Sequence, residues 1–371
     1  MKRLIPCLLI VSLLLSGCAG MLDGSFHSVT RHEENNSQKE EQIVSVSNYS
    51  GLYKTLCAMV EKGTQSGIIS VARYDQQKVE SDMKRAIQKA MTEDPITAYA
   101  VTEITFELGT NAGQSAVAVN ISYLHDRTEI LKIRYLKDMV QVHSAISAAL
   151  DSCDTGVVIH VEAFQDMDFA QWVANYAASN PDKVMETPEV TANIYPQEGK
   201  TRVIELKFSY QNSRDDLRNM QSQVQPLFNA AVIYAGHDGD ETDRFFKLYS
   251  FLMGLSPEFQ LETSITPAYS LLQHGVGDSR AFATAYSAMC RKAGLECITV
   301  TGTRSGDPWY WNIIRCDGVY YHIDLLQCHQ ADSFAGRFDA DMSGYVWDYS
   351  AYPPCAEPLP EEPTENTEAA E

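Results

Sequence analysis

Side chains able to do chemistry gather in the last third of this 371-residue chain. Asp278, Ser279 and Arg280 open an apolar-periodic stretch, His274 stands just before it, and His322, Asp324 and His329 follow later. Cys290 and Cys328 add thiols. Hydroxyls and thiols become nucleophiles when a neighbouring base takes their proton, and an imidazole steadied by a carboxylate is a common base. His322 and Asp324 are two residues apart, so on a strand they share a face. Plainer roles compete with these. Asp278 or Ser279 suits the N-cap of a helix over 280–292, with Gly294 at its C′ position. Cys290 lies about three helical turns beyond Ser279, a spacing that suits a core position.

Several motifs surround these residues in a fixed order. Phe245, Leu248, Phe251 and Leu252 mark an apolar helical face from about 240 onward. Asp278-Ser279-Arg280-Ala281-Phe282-Ala283 follows, then Met289-Cys290-Arg291-Lys292-Ala293-Gly294-Leu295, then Trp309-Tyr310-Trp311-Asn312. Gly318-Val319-Tyr320-Tyr321-His322-Ile323-Asp324 comes next, and Gly344-Tyr345-Val346-Trp347-Asp348 and Tyr352-Pro353-Pro354-Cys355 come last. Together they resemble the bacterial transglutaminase-like, papain-related domain over roughly 240–355. The resemblance implies an α+β fold and a Cys-His-Asp triad, with the cysteine at a helix start and the histidine in a His-x-Trp-Asn strand. Matched motif by motif, the cysteine falls on Ser279, the histidine on Trp309 and the acid on Asp324. Indole nitrogen has no lone pair with which to take a proton, so Trp309 offers Ser279 no general base. Losing triad members costs about 10^4 to 10^6 in rate. The resemblance therefore implies a domain inactive at Ser279, Trp309 and Asp324, with Trp309 plugging the former cleft. The alternative is an active hydrolase or acyltransferase with a non-standard nucleophile such as Ser279, served by one of the nearby histidines. No metal and no cofactor is implied.

Strands over 295–302 and 310–316, joined by a loop containing Gly306-Asp307-Pro308, should pair antiparallel. If Val300 opposes Ile313, Cys297 falls opposite Cys316, within bridging range. Beyond Cys7 and Cys18, the other cysteines are Cys57, Cys153, Cys290, Cys328 and Cys355, an odd set with Cys297 and Cys316 and not a disulfide framework. Their spacing with the histidines fits no metal-ligand motif.

Upstream elements must carry that domain. Residues 48–228 contain one pattern twice: strands at 67–71 and 156–161, helices at 78–91 and 169–178, then strand pairs at 96–108 with 115–123 and 190–195 with 202–210. A helical stretch closes each copy, at 129–150 and 215–234. Along 203–208 apolar and polar residues alternate, which predicts a sheet with one buried and one wet face. Tandem β-α-β-β-α units forming a pair of open, helix-covered sheets follow. Neither copy has a glycine-rich phosphate loop or a regular cluster of titratable residues. A spacer and an interaction module are both open readings.

The ends set the compartment. Lys2 and Arg3 precede an apolar run from Leu4 to Leu15, too short for a span of ~20 residues and suited to a secretory signal. Leu15-Ser16-Gly17-Cys18 resembles the lipobox of bacterial lipoproteins, which implies acylation of Cys18. Two or three acyl chains anchor stably. This implies a cell-envelope protein held by its lipid on the outer face of the cytoplasmic membrane, or on an outer membrane if the cell has two. Residues 18–47 are too polar to fold and read as a tether, and 356–371 as an acidic, proline-rich disordered tail. The formal net charge is -20, and loss of Lys2 and Arg3 with the signal leaves about -22. Such a surface repels nucleic acid and anionic headgroups.

The expected organisation is a signal peptide at 1–17, a tether at 18–47, two α+β repeats at 48–228, a transglutaminase-like α+β domain at 229–355 and a tail at 356–371. The leading reading is a lipid-anchored, non-catalytic module for a peptide, cell-wall fragment or protein. A purely structural module in envelope assembly is the third possibility.

Overall fold

The computed structural model describes residues 43–255 and 258–357. The expected signal, Cys18, most of the tether and nearly all of the acidic tail lie outside the described residues. No helix among the described residues is long and apolar enough to cross a membrane.

The first unit begins inside the segment read as tether. β1 (Val44–Ser45) pairs in parallel with β2 (Ser66–Ser70), Val46 is buried, and its N–H reaches the Ser70 carbonyl at 2.9 Å. A short β-branched run suffices here because an open sheet edge supplies its hydrogen bonds. Between those strands runs α1 (Tyr49–Glu61), capped by the Asn48 side chain on the Gly51 N–H at 2.9 Å. After β2 come α2 (Val79–Glu93) and α3 (Pro95–Ala100). The start of the strand expected from 96 is thus helical, because Asp94 caps the Thr97 N–H and Pro95 occupies the first turn. β3 (Val101–Asn111) and β4 (Gln114–Tyr123) form a hairpin, and the sheet order is β1-β2-β4-β3.

The second unit needs a further correction. The helix expected over 129–150 is split into α4 (Arg127–Ile130), β5 (Arg134–Leu136) and α5 (Met139–Asp151). A capping box between Asp126 and Glu129 starts α4, and Asp138 caps α5. Between them the pattern turns to period two: Leu131 and Tyr135 are exposed and Ile133 is buried. β6 (Gly156–Val161), α6 (Phe169–Ser179), β7 (Glu189–Tyr195) and β8 (Arg202–Ser209) complete a sheet of order β5-β6-β8-β7. Both sheets share strand order and pairing senses, with one parallel edge pair and two antiparallel pairs each. The face of β8 expected to be wet is covered at its start, while Lys207 stays exposed. Val203 joins the core of the first unit and Glu205 is buried, held by Asn193 at 2.9 Å.

α7 (Arg214–Ala235) spans the boundary expected at 228. Leu217, Val224 and Phe228 enter the core of the last domain, while the Gln221 side chain donates to the Asp151 and Lys183 carbonyls of the second unit. Beyond it follow α8 (Glu241–Gly254), β9 (Glu258–Phe259), α9 (Pro267–His274), β10 (Val276–Gly277) and α10 (Ser279–Lys292). β11 (Cys297–Arg304), β12 (Asp307–Cys316), β13 (Val319–Ile323), α11 (Leu325–Gln330) and β14 (Tyr345–Trp347) follow. The sheet order is β13-β12-β11-β14, antiparallel throughout.

The β11–β12 register corrects the proposed thiol pairing. Val300 opposes Trp311 and Cys297 opposes Ile314, while Cys316 faces Val319 on β13, and both thiols are free. The turn is not Gly306-Asp307-Pro308 but the two residues Ser305 and Gly306, both at positive φ (53 and 95°), which suits a tight hairpin turn. Asp307 and Pro308 therefore lie in the strand, and the register moves by two residues.

Candidate functional site

The start of α10 is set by Asp278, whose Oδ1 accepts the Ala281 N–H at 2.9 Å while Oδ2 accepts the Thr263 hydroxyl. Asp278 is the cap, and Ser279 is the first helical residue, 5% exposed. β12 lies against the helix start. The Tyr310 N–H donates to Ser279 Oγ at 3.3 Å, and Asn312 Nδ2 donates to the Ala283 carbonyl at 2.9 Å. The order Trp309, Tyr310, Asn312 thus runs along the helix.

Trp309 and Asp324 meet directly. The indole Nε1–H donates to Asp324 Oδ2 at 2.9 Å. Asp324 is 1% exposed and receives more than this one donor. The Tyr345 hydroxyl donates to Oδ2 at 2.5 Å, and the Leu326 and Gln327 N–H groups donate to Oδ1 at 3.1 and 3.2 Å, capping α11. The Arg304 guanidinium stands 3.6 Å from Oδ2 and lies over the rings of Trp309 and Tyr345, at 5.1 and 5.5 Å. Burial, then the Asp324 charge, pushes the Tyr345 hydroxyl up to about 12. On its other side Trp309 meets Phe259 at 5.5 Å between ring centroids, and Phe259 pairs with Gly277, two residues before Ser279.

This arrangement ties the residues that the resemblance singled out into one place, with a chemistry of donors. Among the described residues Ser279 Oγ has one hydrogen-bond partner, and that partner donates. The Asp324 carboxylate is filled by an indole, a phenol and two amides.

The other candidate bases and thiols are engaged or remote. His322 is fully buried. Its Nδ1 accepts the Trp311 indole N–H at 2.9 Å, so its proton sits on Nε2, directed at Asp339 Oδ1, 2.8 Å away. Burial pulls its pKa down. Cys355 donates its N–H to Asp339 Oδ2 at 3.2 Å, and burial, then Asp339, pushes its thiol up to about 12. Potential ligand atoms of His322, Asp339 and Cys355 lie within 4.8 Å of one another, a grouping that sequence spacing conceals. A metal ion would need the Nε2 lone pair, and the Trp311 donor, by taking the one on Nδ1, leaves Nε2 protonated. As arranged, the group is a hydrogen-bonded tie for the C-terminal segment. Cys290 is wholly buried, and burial together with neighbouring Cys297 pushes its thiol well up. His274 and His329 are exposed at the last turns of α9 and α11.

Arg304, Tyr345 and Phe259 complete the site. Tyr345 lay within a motif already singled out, whereas nothing in the sequence marked Arg304 or Phe259.

Residues 233–336 match the transglutaminase-like superfamily. No curated protein matches the chain. Three solved structures are among those it is similar to. A transglutaminase is 10% identical over 52% of this chain and 58% of that one, with a TM-score of 0.24, so the chain spans little more than half of its length. A candidate cysteine protease from Cytophaga hutchinsonii is 14% identical over 43% of this chain and 70% of that one, TM-score 0.25. A candidate protease from Parabacteroides distasonis is 9% identical over 60% and 35%, TM-score 0.22. At such scores these three carry no weight beside the family match. The match gives this chain a transglutaminase-like domain over residues 233–336.

Proposed function

We propose that the chain is an exported lipoprotein, anchored through acylated Cys18, whose transglutaminase-like domain binds a peptide, cell-wall fragment or protein without cleaving it. The observation that carries the non-catalytic reading is the Trp309 indole standing at the family's histidine position and donating to Asp324. A donor there can neither take a proton from Ser279 nor pass one to a leaving group. The shared strand order of the two N-terminal sheets supports their being two copies of one unit, serving as spacer or contact surface. The Leu15-Ser16-Gly17-Cys18 motif supports envelope localisation, and the acidic net charge argues against nucleic acid as partner.

Two measurements test this. A fluorophosphonate probe and a panel of ester and amide substrates should give no labelling and no turnover. Turnover abolished by Ser279→Ala would overturn the non-catalytic reading. In growing cells an alkyne fatty acid should label the protein, and Cys18→Ser should abolish labelling. Retained labelling would overturn the anchor.

A further inference from the structure

A cleft of about 580 Å3 lies between α6 of the second unit and α10, with the outer edge of β11 as its third wall. Two independent features of it point to a ligand.

The first is charge. Arg280 and Arg291 both line the cleft, and no carboxylate does so among the described residues, although the whole chain carries -20. Arg291 donates to the Ser179 carbonyl on α6. Arg280 has no ion-pair partner among the described residues and lies 5.8 Å from the centre of the Tyr310 ring. Two guanidiniums between low-dielectric walls create a positive potential on an otherwise acidic molecule.

The second is a strand edge open at Thr299, for on the same edge the Cys297 carbonyl already accepts the Ser287 hydroxyl at 2.9 Å. β14 covers β11 only from Gly302 to Arg304. Nearer the strand start, Thr301 points its N–H outward, where the Tyr352 hydroxyl accepts it at 3.1 Å. Alternation along a strand then turns the N–H and C=O of Thr299 the same way, toward the cleft. An extended segment can add there by main-chain hydrogen bonds.

We propose that this cleft binds an extended peptide carrying acidic residues, which adds alongside β11 at Thr299 and pairs with Arg280 and Arg291. Eleven residues along α10 separate the two arginines, about 16 Å at 1.5 Å per residue. On a strand rising about 3.3 Å per residue, two carboxylates four positions apart share a face at about 13 Å, within reach of the two flexible side chains. Carboxylate–guanidinium pairing supplies the preference and the strand edge supplies the register. The inference rests on the binding-module reading and places the ligand beside the Ser279 position, since the Tyr310 ring lines the cleft while its N–H meets Ser279.

The test uses the full chain and a fluorescein-labelled peptide, Gly-Glu-Val-Thr-Val-Glu-Gly, followed by anisotropy. The peptide should bind, weaken at least tenfold when both glutamates are replaced by glutamine, and weaken similarly when its two valine nitrogens are methylated. Arg280→Gln with Arg291→Gln should weaken it at least tenfold, with an unchanged melting temperature confirming the fold. Equal binding of the glutamine peptide, or an undiminished affinity in a folded double variant, overturns the proposal. Equal binding of the methylated peptide overturns strand addition. Changing Glu361, Glu362 and Glu365 to glutamine should either leave the affinity alone, marking a separate acidic ligand, or raise it, marking the chain's own tail as a competitor with the same chemistry. Mass spectrometry of the peptide after incubation separates the two readings. Cleaved peptide sinks the non-catalytic reading alone, whereas intact peptide without binding sinks the cleft alone.

Discussion

The two N-terminal units and the C-terminal domain bury polar groups in different ways. In the units, buried Glu186 gathers the Asn212 side chain and the N–H groups of Gln211 and Asn212, and buried Gln221 bridges two carbonyls. Each is an isolated joint between elements. In the C-terminal domain Asp278, Ser279, Asn312, His322 and Asp324 are all buried around the start of α10 and its neighbouring strands. Burying a polar group is costly unless it is partnered, so such a concentration is expected where chemistry is done. Here the donors end on acceptors inside the protein. The difference teaches that buried polar groups serve as single joints in one region and as one connected network in the other.

The comparison breaks if Asp324 proves dispensable. Asp324→Ala would strand the Trp309 indole and the Leu326 and Gln327 amides and leave the Tyr345 hydroxyl only Gln327 Oε1, 2.9 Å away, and should cost about 3–5 kcal/mol in urea denaturation. A loss under about 1 kcal/mol would mean that the network is not structural. A second experiment asks whether backbone packing, unlike polarity, is alike in the two regions. A Cβ at Gly156 would lie 2.3 Å from the Leu206 carbonyl oxygen, and one at Gly302 would lie 2.3 Å from that of Val346. Gly156→Ala and Gly302→Ala should therefore each cost about 1–3 kcal/mol. Sharply unequal costs would show that one region yields where the other does not.

Reactivity offers a smaller contrast. Ser279→Cys combined with Trp309→His should react with iodoacetamide at neutral pH about tenfold faster than Ser279→Cys alone, because an imidazole there favours the thiolate. Equal rates would mean that position 309 does not address Ser279. Smallest is the pH effect, which both regions share. Burial lowers the pKa of His160 on β6, whose Nδ1 has no partner among the described residues, and of His322 on β13, which has two. Each stays neutral in the fold where the unfolded chain already binds a proton. Stability present above about pH 6.5 should thus fall with pH, by at most about 1.4 kcal/mol per unit for each histidine. His322→Gln should flatten the dependence between pH 6.5 and 5.5, and an unchanged slope would remove His322 from the account.

Much of the fold was legible because it is local. The helix expected over 280–292 is α10, its cap is one of the two residues named for it, and the Gly294 turn has φ of 76°. The short parallel strands β1 and β5 were not legible, since two or three residues carry no period of their own and become strands only when an edge accepts them. The cysteine register failed for a similar reason. The Gly306-Asp307-Pro308 run suggested the turn, but the paired positive φ of Ser305 and Gly306 sets it. In the site, motif order brought out Ser279, Trp309 and Asp324, whereas Arg304, Phe259, Asp339 and the arginine-lined cleft depend on contacts between distant segments.

By itself the sequence determined most element types among the described residues, the acidic balance and the identity of the side chains at positions 279, 309 and 324, because these follow from nearest neighbours and side-chain chemistry. Tertiary structure alone decided that an indole proton ends on Asp324, that Trp311 dictates which nitrogen of His322 carries a proton, and that the outer edge of β11 stays open at Thr299. Hydrogen-bond direction and edge exposure arise only when remote segments are packed together, so no window along the chain contains them.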